Sequence, residues 1–286
     1  MDFPELNIAK SCAHWNHSSI FGSNEYEYIK SFIHKDYSLG YHTHSFYELN
    51  IVLSGHGFHY IEKMACRAEK GCVFLIPPNI KHGYISKDNL DVYHMLIHRN
   101  FVDEYLAPIS HTKGYHMIFE TEPYLRGRYK DNLFLTLSNE DLSHIHSDIT
   151  LIDKAKEMHN SDLYINSIAQ KIISHLCLLM ENKLGVEKID LKKDKEFIAI
   201  AECLNYIHQN FDEKITISYL AEKANMSRST FIRHFKKICN CSPHRYIKEY
   251  RIKKAEQYLF ENKKTSTEIA QECGFYDVSH LRKQLK

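Results

Sequence analysis

LAEKANMSRSTFIRHFKK, residues 220–237, and IAQECGFYDVSHLRKQLK, residues 269–286, are two copies of one pattern once the second turn is allowed one more residue. Each copy opens on an apolar residue followed by alanine, Leu220-Ala221 and Ile269-Ala270, where a small side chain lets a second helix cross closely. A short turn follows, with one apolar plug, Met226 or Phe275, and a residue able to cap the next helix, Ser227 or Asp277. Each copy ends in a helix with apolar residues four apart, Phe231 and Phe235 in one and Leu281 and Leu285 in the other. Two helix-turn-helix units are predicted.

With Phe231 at the centre of the buried face, an advance of about 100° per residue turns Ser229, Arg233 and Lys236 outward, flanked by Thr230 and Lys237. Around Leu281 the same rotation exposes Ser279, Lys283 and Lys286, flanked by His280 and Arg282. Arg and Lys donate to guanine O6 and N7, and Ser and Thr are short enough to read base edges near a helix start. Lys236, Lys237 and Lys286 suit phosphate contacts better than base reading.

Between the copies, PHRYIKEYRIKKAEQYLFENKK (243–264) is predicted as a helix, with Pro243 in its first turn and Tyr246, Tyr250, Ala255 and Leu259 near one stripe. About 20 residues at ~1.5 Å each give a rod of ~30 Å, near the ~34 Å repeat of B-DNA. Two recognition helices on such a rod reach successive major grooves. From Lys214 to Lys286 there are 16 Lys and Arg against 7 Asp and Glu, a net of +9, while the rest carries 21 against 29, a net of −8. The overall charge of +1 hides this asymmetry, which points to a polyanionic partner for the C-terminal part.

In this order and at this spacing, ISYLAEKANMSRSTFIRHFKK, SPHRYIKEYRIKKAEQYL and STEIAQECGFYDVSHLRKQ, within residues 196–286, resemble the DNA-binding domain of AraC/XylS-type transcription regulators. The resemblance implies sequence-specific binding to double-stranded promoter DNA, with activation or repression set by an N-terminal sensor domain, and RNA polymerase as a further candidate partner. The second recognition helix departs from the family pattern at Leu281 and Leu285, where aromatic residues are usual, and at Arg282-Lys283, where one basic residue is commoner. The sequence stops at Lys286, so fraying of that helix is expected.

Residues 26–91 hold short β-type runs punctuated by Gly, Pro and Asn, such as YELNIVLSGHG and GCVFLIPPN, and predict a small antiparallel barrel or sandwich. HTHSFYELNIVLSG (42–55) and GCVFLIPPNIKH (71–82) resemble the two short motifs of cupin barrels, with Asn79 in place of the glycine usual in the second. His42, His44, Glu48 and Asn50 share strand parity and would face one lumen if the strand continues. The resemblance leaves two uses open. Cupin enzymes hold a metal on H-x-H-x-x-x-E and a later His, whereas AraC-type sensors keep the stretch as a small-molecule pocket or a hydrogen-bonded core. The second use is preferred: His42, His44, Glu48, Asn50, His82 and Tyr84 are expected to line a pocket for a small-molecule effector, with no metal and no cofactor. The runner-up is a metal-dependent cupin enzyme carrying a DNA-binding tail.

From Asn139 to Lys183 apolar residues recur at helical spacing, predicting two helices separated near 158–162. They are expected to pair with a second subunit to form a homodimer, although their stripe could equally dock on their own barrel. The charged stretch LGVEKIDLKKDKEF (184–197) reads as a linker. The expected fold class is therefore α+β multidomain: a cupin-like sensing domain over 1–135, a helical dimerisation segment and linker over 136–190, and an all-α double helix-turn-helix domain over 191–286. Hydrophobic residues at 43% and charged residues at 26% fit a soluble globular chain. With no apolar run near the ~20 residues a membrane span needs, and no signal-like start in MDFPELNIAK, a cytoplasmic protein with no membrane partner is expected. Eight cysteines form no C-x-x-C pair, so they read as reduced thiols. No Ser-His-Asp arrangement, phosphate-binding glycine loop or paired catalytic carboxylate is visible, so the chain is not expected to be an enzyme and no catalytic residue is assigned.

Overall fold

The β-type runs of the N-terminal half pair into one seven-stranded sheet, in a computed structural model that describes residues 13–21, 26–61, 64–125, 135–186, 195–239, 241–261 and 264–285. Lys286 and residues 187–194 of the expected linker lie outside the described residues. The chain divides into two units, Met1–Glu187 and Lys188–Lys286.

The first unit runs β1 (Ala13–Trp15), α1 (His17–Ile20), β2 (Ile29–His34), β3 (Leu39–His44), β4 (Tyr47–Ile61), β5 (Met64–Glu69), β6 (Val73–Ile76) and β7 (His82–Ile97). The long strands β4 and β7 pair antiparallel along their length and serve two sets of neighbours. At one end β6 pairs with Glu48–Ile51 of β4, and β2 with the last six residues of β7. At the other end β5 flanks β4, while β3 and then β1 flank β7. The change of neighbours falls where the β4–β7 register slips, between Val52 and Gly57. There Gly55 has φ +72, and a Cβ on it would lie 2.0 Å from the carbonyl oxygen of Asn89, so both its backbone angle and the close approach require glycine. The expected strand end near Asp91 is an interruption instead: exposed Lys87, Asp88 and Asn89 mark the slip, and β7 continues to Ile97. Val52, Phe74, Ile76, Tyr84, Leu90 and Val92 form one core of the sheet.

A helical segment follows that no sequence signal above anticipates: α2 (Arg99–Tyr105), α3 (Lys113–Tyr115), a π-helical turn (His116–Thr121) and α4 (Glu122–Leu125). The two expected helices are α5 (Asn139–Lys156), capped by Ser138 Oγ accepting from the Asp141 amide at 3.1 Å, and α6 (Asp162–Val186). Of the apolar stripe on α6, Ile165, Ile168, Ile172, Ile173, Leu176 and Met180 are buried within this unit, while Leu163 is 55% exposed. The stripe thus docks largely on its own domain. Gly114 of α3 lets this docking close, since a Cβ there would lie 1.9 Å from the Cys177 carbonyl oxygen. By length and composition α6 does contain a stretch, Asp162–Lys183, apolar enough to cross a bilayer, contrary to the sequence expectation. Half of it is buried in the unit's core.

The second unit is helical among its described residues: α7 (Lys195–Gln209), α8 (Ile217–Lys223), α9 (Arg228–Cys239), α10 (Pro243–Glu261), α11 (Ser266–Glu272) and α12 (Val278–Gln284).

Candidate functional site

The sequence repeat is a structural repeat down to its main-chain bonds. In the first turn the Met226 amide donates to Ala221 O at 2.9 Å, and in the second the Phe275 amide donates to Ala270 O at 2.8 Å. The reversal of direction needs one left-handed residue, supplied by Asn225 (φ 52) and by Gly274 (φ 67). Ser227 Oγ accepts from the Thr230 amide at 3.3 Å at the start of α9, and Asp277 Oδ1 from the His280 amide at 2.6 Å at the start of α12. Phe231, Phe235 and Leu281 are buried, and Leu285 is half-buried.

The faces opposite those anchors carry the predicted contact residues. Ser229, Arg233, Lys236 and Lys237 on α9 and Ser279, His280, Arg282 and Lys283 on α12 are exposed. Thr230 is half-buried, its hydroxyl accepting from Ser227 Oγ at 2.9 Å, so it belongs to the helix cap as much as to the outward face.

The connector corrects one detail of the sequence reading. Helix α10 does not present a single apolar stripe: Leu259 is 38% exposed, while Ile247, Tyr250 and Ala255 are buried. At 100° per residue Ala255 lies half a turn away from Tyr246. The Tyr246 hydroxyl meets His208 Nε2 at 2.8 Å and its ring packs on Phe235, in the first helix-turn-helix half, whereas Ala255 joins Ile269, Ala270, Cys273, Phe275 and Leu281 in the second. One rod therefore seats the two helix-turn-helix units on different flanks. Arg251 adds a tie, donating to the carbonyl oxygens of Phe211, Gly274 and Glu213.

In the sheet unit, His42, His44, Glu48 and His82 come together, all buried. His44 Nε2 lies 3.0 Å and His82 Nε2 3.4 Å from Glu48 Oε2, and the His42 and His82 rings are 4.0 Å apart. Asn50 and Tyr84 pair with each other, Asn50 Nδ2 donating to Tyr84 Oη at 3.0 Å. Burial opposes charge on Glu48, but hydrogen bonds from His44, His82 and His94 outweigh it and hold the carboxyl well below its ordinary range. His42 is pushed down to about 4 by burial, with His82 beside it adding to the shift. Asn79 has φ 64, which explains how it replaces a glycine in the second motif.

Sequence reading missed His94, which donates from Nδ1 to Glu48 Oε1 at 2.8 Å. It also missed the cavity beside it, of about 800 Å³, whose walls include Phe32, His34, Tyr37, Glu48, His94 and Met158. Of the six residues expected to line an effector pocket, Glu48 borders this cavity, and His42, His44, Asn50, His82 and Tyr84 do not. The available signal was the strand-like run Val92–Ile97, whose register sets His94 opposite Asn50.

A family model described as the AraC-like ligand binding domain matches residues 26–148, and one described as the helix-turn-helix domain matches residues 220–286. The chain belongs to the AraC-type transcription regulators. Among curated relatives it is 23% identical to the HTH-type transcriptional activator RhaS of Enterobacter sp. (strain 638), over 84% of this chain and 81% of RhaS. It is 29% identical to the HTH-type transcriptional regulator YdeC of Bacillus subtilis (strain 168), over 56% of this chain and 54% of YdeC. Among solved structures, ToxT from Vibrio cholerae O395 is similar at 13% identity and TM-score 0.35, covering 90% of this chain and 92% of that one. As in other AraC-type regulators, a ligand-binding N-terminal domain is joined to a helix-turn-helix DNA-binding domain. Burial pushes the Cys177 and Cys203 thiols up to about 12 and that of Cys273 to about 11, so these three are held as unreactive thiols.

Proposed function

We propose that this regulator reads two successive major grooves of promoter DNA with α9 and α12, under control of a small molecule bound in the N-terminal unit. On α9, Ser229, Thr230 and Arg233 meet base edges and Lys236 and Lys237 meet phosphates; on α12, Ser279, His280, Arg282 and Lys283 do the same work. The carrying observation is the paired turn geometry with exposed basic faces on both helices, joined by the 19 residues of α10, a rod of about 28 Å. The effector is placed in the cavity bordered by His34, Tyr37, Glu48 and His94, because it offers both volume and polar groups. Met158, His159, Asn160 and Ser161, from the connection between α5 and α6, line the same cavity. Occupancy is thereby coupled to those helices, and a ligand that prefers one of their arrangements shifts the DNA-bound population.

The working division is a sensor over 1–135, a helical segment over 136–190 and a DNA-binding domain over 191–286. Leu151, Tyr164 and Leu178 remain exposed on α5 and α6 and support pairing of these helices with a second copy. The chain is read as non-enzymatic and cytoplasmic, with RNA polymerase a further partner at the promoter. Genome-wide mapping of bound segments, followed by footprinting, tests the proposal. Protection of two major-groove segments about one helical turn, ~34 Å, apart is expected. Absence of any protected segment overturns it.

A further inference from the structure

We propose that Tyr276, which lies in the turn before α12, is a base-reading residue whose ring packs on the 5-methyl group of a thymine in the half-site that α12 enters. The inference rests on the proposed DNA-binding reading and adds to it a contact that has no counterpart in the first helix-turn-helix.

The two units keep the same spacing at every landmark except one. The plugs Met226 and Phe275 each close a main-chain bond to the alanine carbonyl five residues back, Ala221 O and Ala270 O. The caps Ser227 and Asp277 each lie four residues before a buried anchor, Phe231 or Leu281, whose amide donates to the cap's carbonyl oxygen at 2.8 or 3.0 Å. In the first unit the cap follows the plug directly, whereas in the second Tyr276 stands between them. The added residue of the second turn is therefore Tyr276, and the bonds on both sides of it are those of the first unit.

What this residue adds is an aromatic ring in water. Tyr276 is 93% exposed, more than any other large hydrophobic side chain among the described residues, where Met158 follows at 64%. No hydrogen bond or ring contact holds its side chain among those residues. Its place is set by its neighbour: the Tyr276 amide donates to His280 Nδ1 at 3.4 Å, and the His280 ring stands edge-on to Phe275 with centroids 5.5 Å apart. His280 is thereby anchored to the turn on the exposed side that also carries Ser279 and Lys283, and Tyr276 lies beside it. With Nδ1 accepting, the neutral His280 ring carries its proton on Nε2, a donor for an acceptor on DNA. Packing on apolar surface is what an exposed ring gains from, and the thymine methyl is the apolar group that base edges present in the major groove. The uncharged ring of Tyr276 suits that methyl group, as the lysines suit phosphates.

The test lets the full-length protein select from a pool of duplexes with randomised bases, in parallel with Tyr276→Ala, Tyr276→Phe and Lys283→Ala, each checked for folding by circular dichroism. Wild type and Tyr276→Phe should select a thymine at one position, next to those that Lys283→Ala relaxes, and Tyr276→Ala should lose that preference. Replacing this thymine by uracil removes only the methyl group, and should weaken wild-type binding about fourfold but Tyr276→Ala binding by less than about twofold. Tyr276→Ala selections that keep the thymine, or an equal uracil penalty for both proteins, overturn the proposal and leave the DNA-binding reading standing. Tyr276→Phe weakening all sequences as much as Tyr276→Ala shows a hydroxyl contact to phosphate instead, and likewise overturns the base contact alone. A wild-type protein that enriches no sequence overturns both readings.

Discussion

Arg251→Met removes three donors and little else, because methionine keeps the aliphatic stem. The guanidinium donates at 2.6 Å to Phe211 O, at 3.0 Å to Gly274 O and at 2.6 Å to Glu213 O, clamping the segment after α7 to the turn of the second helix-turn-helix. Hydrogen bonds from a charged donor contribute about 1.5–3 kcal/mol each. The bond to Glu213 is exposed and is discounted for screening by water, so the two part-buried ones set an expected loss of about 3 kcal/mol. For a unit of 99 residues (Lys188–Lys286) about 1 kcal/mol moves the melting temperature by ~4–8 °C, so a fall of ~12–24 °C is expected. The assay has a built-in control: the single tryptophan, Trp15, lies in the other unit, so its emission follows that unit while circular dichroism at helical wavelengths also follows the second. The ellipticity transition should move and the fluorescence transition should stay. A shift under about 1 kcal/mol, or one shared by Trp15, refutes the clamp reasoning.

On DNA, Arg233→Ala should cost about 1–3 kcal/mol on the cognate site and relax preference at one position, while Lys237→Ala weakens all sequences alike and lowers the salt slope by about 1; fluorescence anisotropy on specific and random duplexes separates these, and equal losses for both variants refute the assignment. Glu268 closes a capping box with Thr265 at the start of α11, and the Thr265 amide and hydroxyl hold its carboxyl below the ordinary value of 4.5. A folded value below the unfolded one means that this contribution to stability is present above the unfolded value and is lost as pH falls through the folded one. Carboxyl NMR titration should place the Glu268 midpoint below 4.5, and a midpoint at or above it rejects the cap. Gly114→Ala brings a methyl to 1.9 Å from the Cys177 carbonyl oxygen and should destabilise the first unit by about 1–3 kcal/mol or more, read as an earlier Trp15 transition; an unchanged midpoint counts against close α3–α6 packing.

What could be read directly from the sequence was local. The helix-turn-helix units reveal themselves because their plug, cap and anchor all fall within a dozen residues, from Met226 through Phe235 and from Phe275 through Leu285. The histidine and glutamate cluster was legible for a similar reason, since His42, His44 and Glu48 sit on consecutive strands. His94 and the cavity were not, because they arise from pairing between β4 and β7 and from contacts such as Lys156 Nζ to Ser31 O, 125 residues apart in the chain. The connector was half legible: its helix followed from composition, but a single-stripe reading put Leu259 inside and missed Ile247, since a rod flanked by two partners buries different sides at its two ends.

That arrangement of α10 has an evolutionary consequence. The angular phase between the two helix-turn-helix units is written into the length of one helix, so inserting or deleting a residue between Tyr246 and Ala255 swings one unit about 100° around the axis relative to the other. If both units read DNA as proposed, small drifts in connector length are disfavoured, and the binding sites can diverge in base sequence more freely than in the spacing of their two halves.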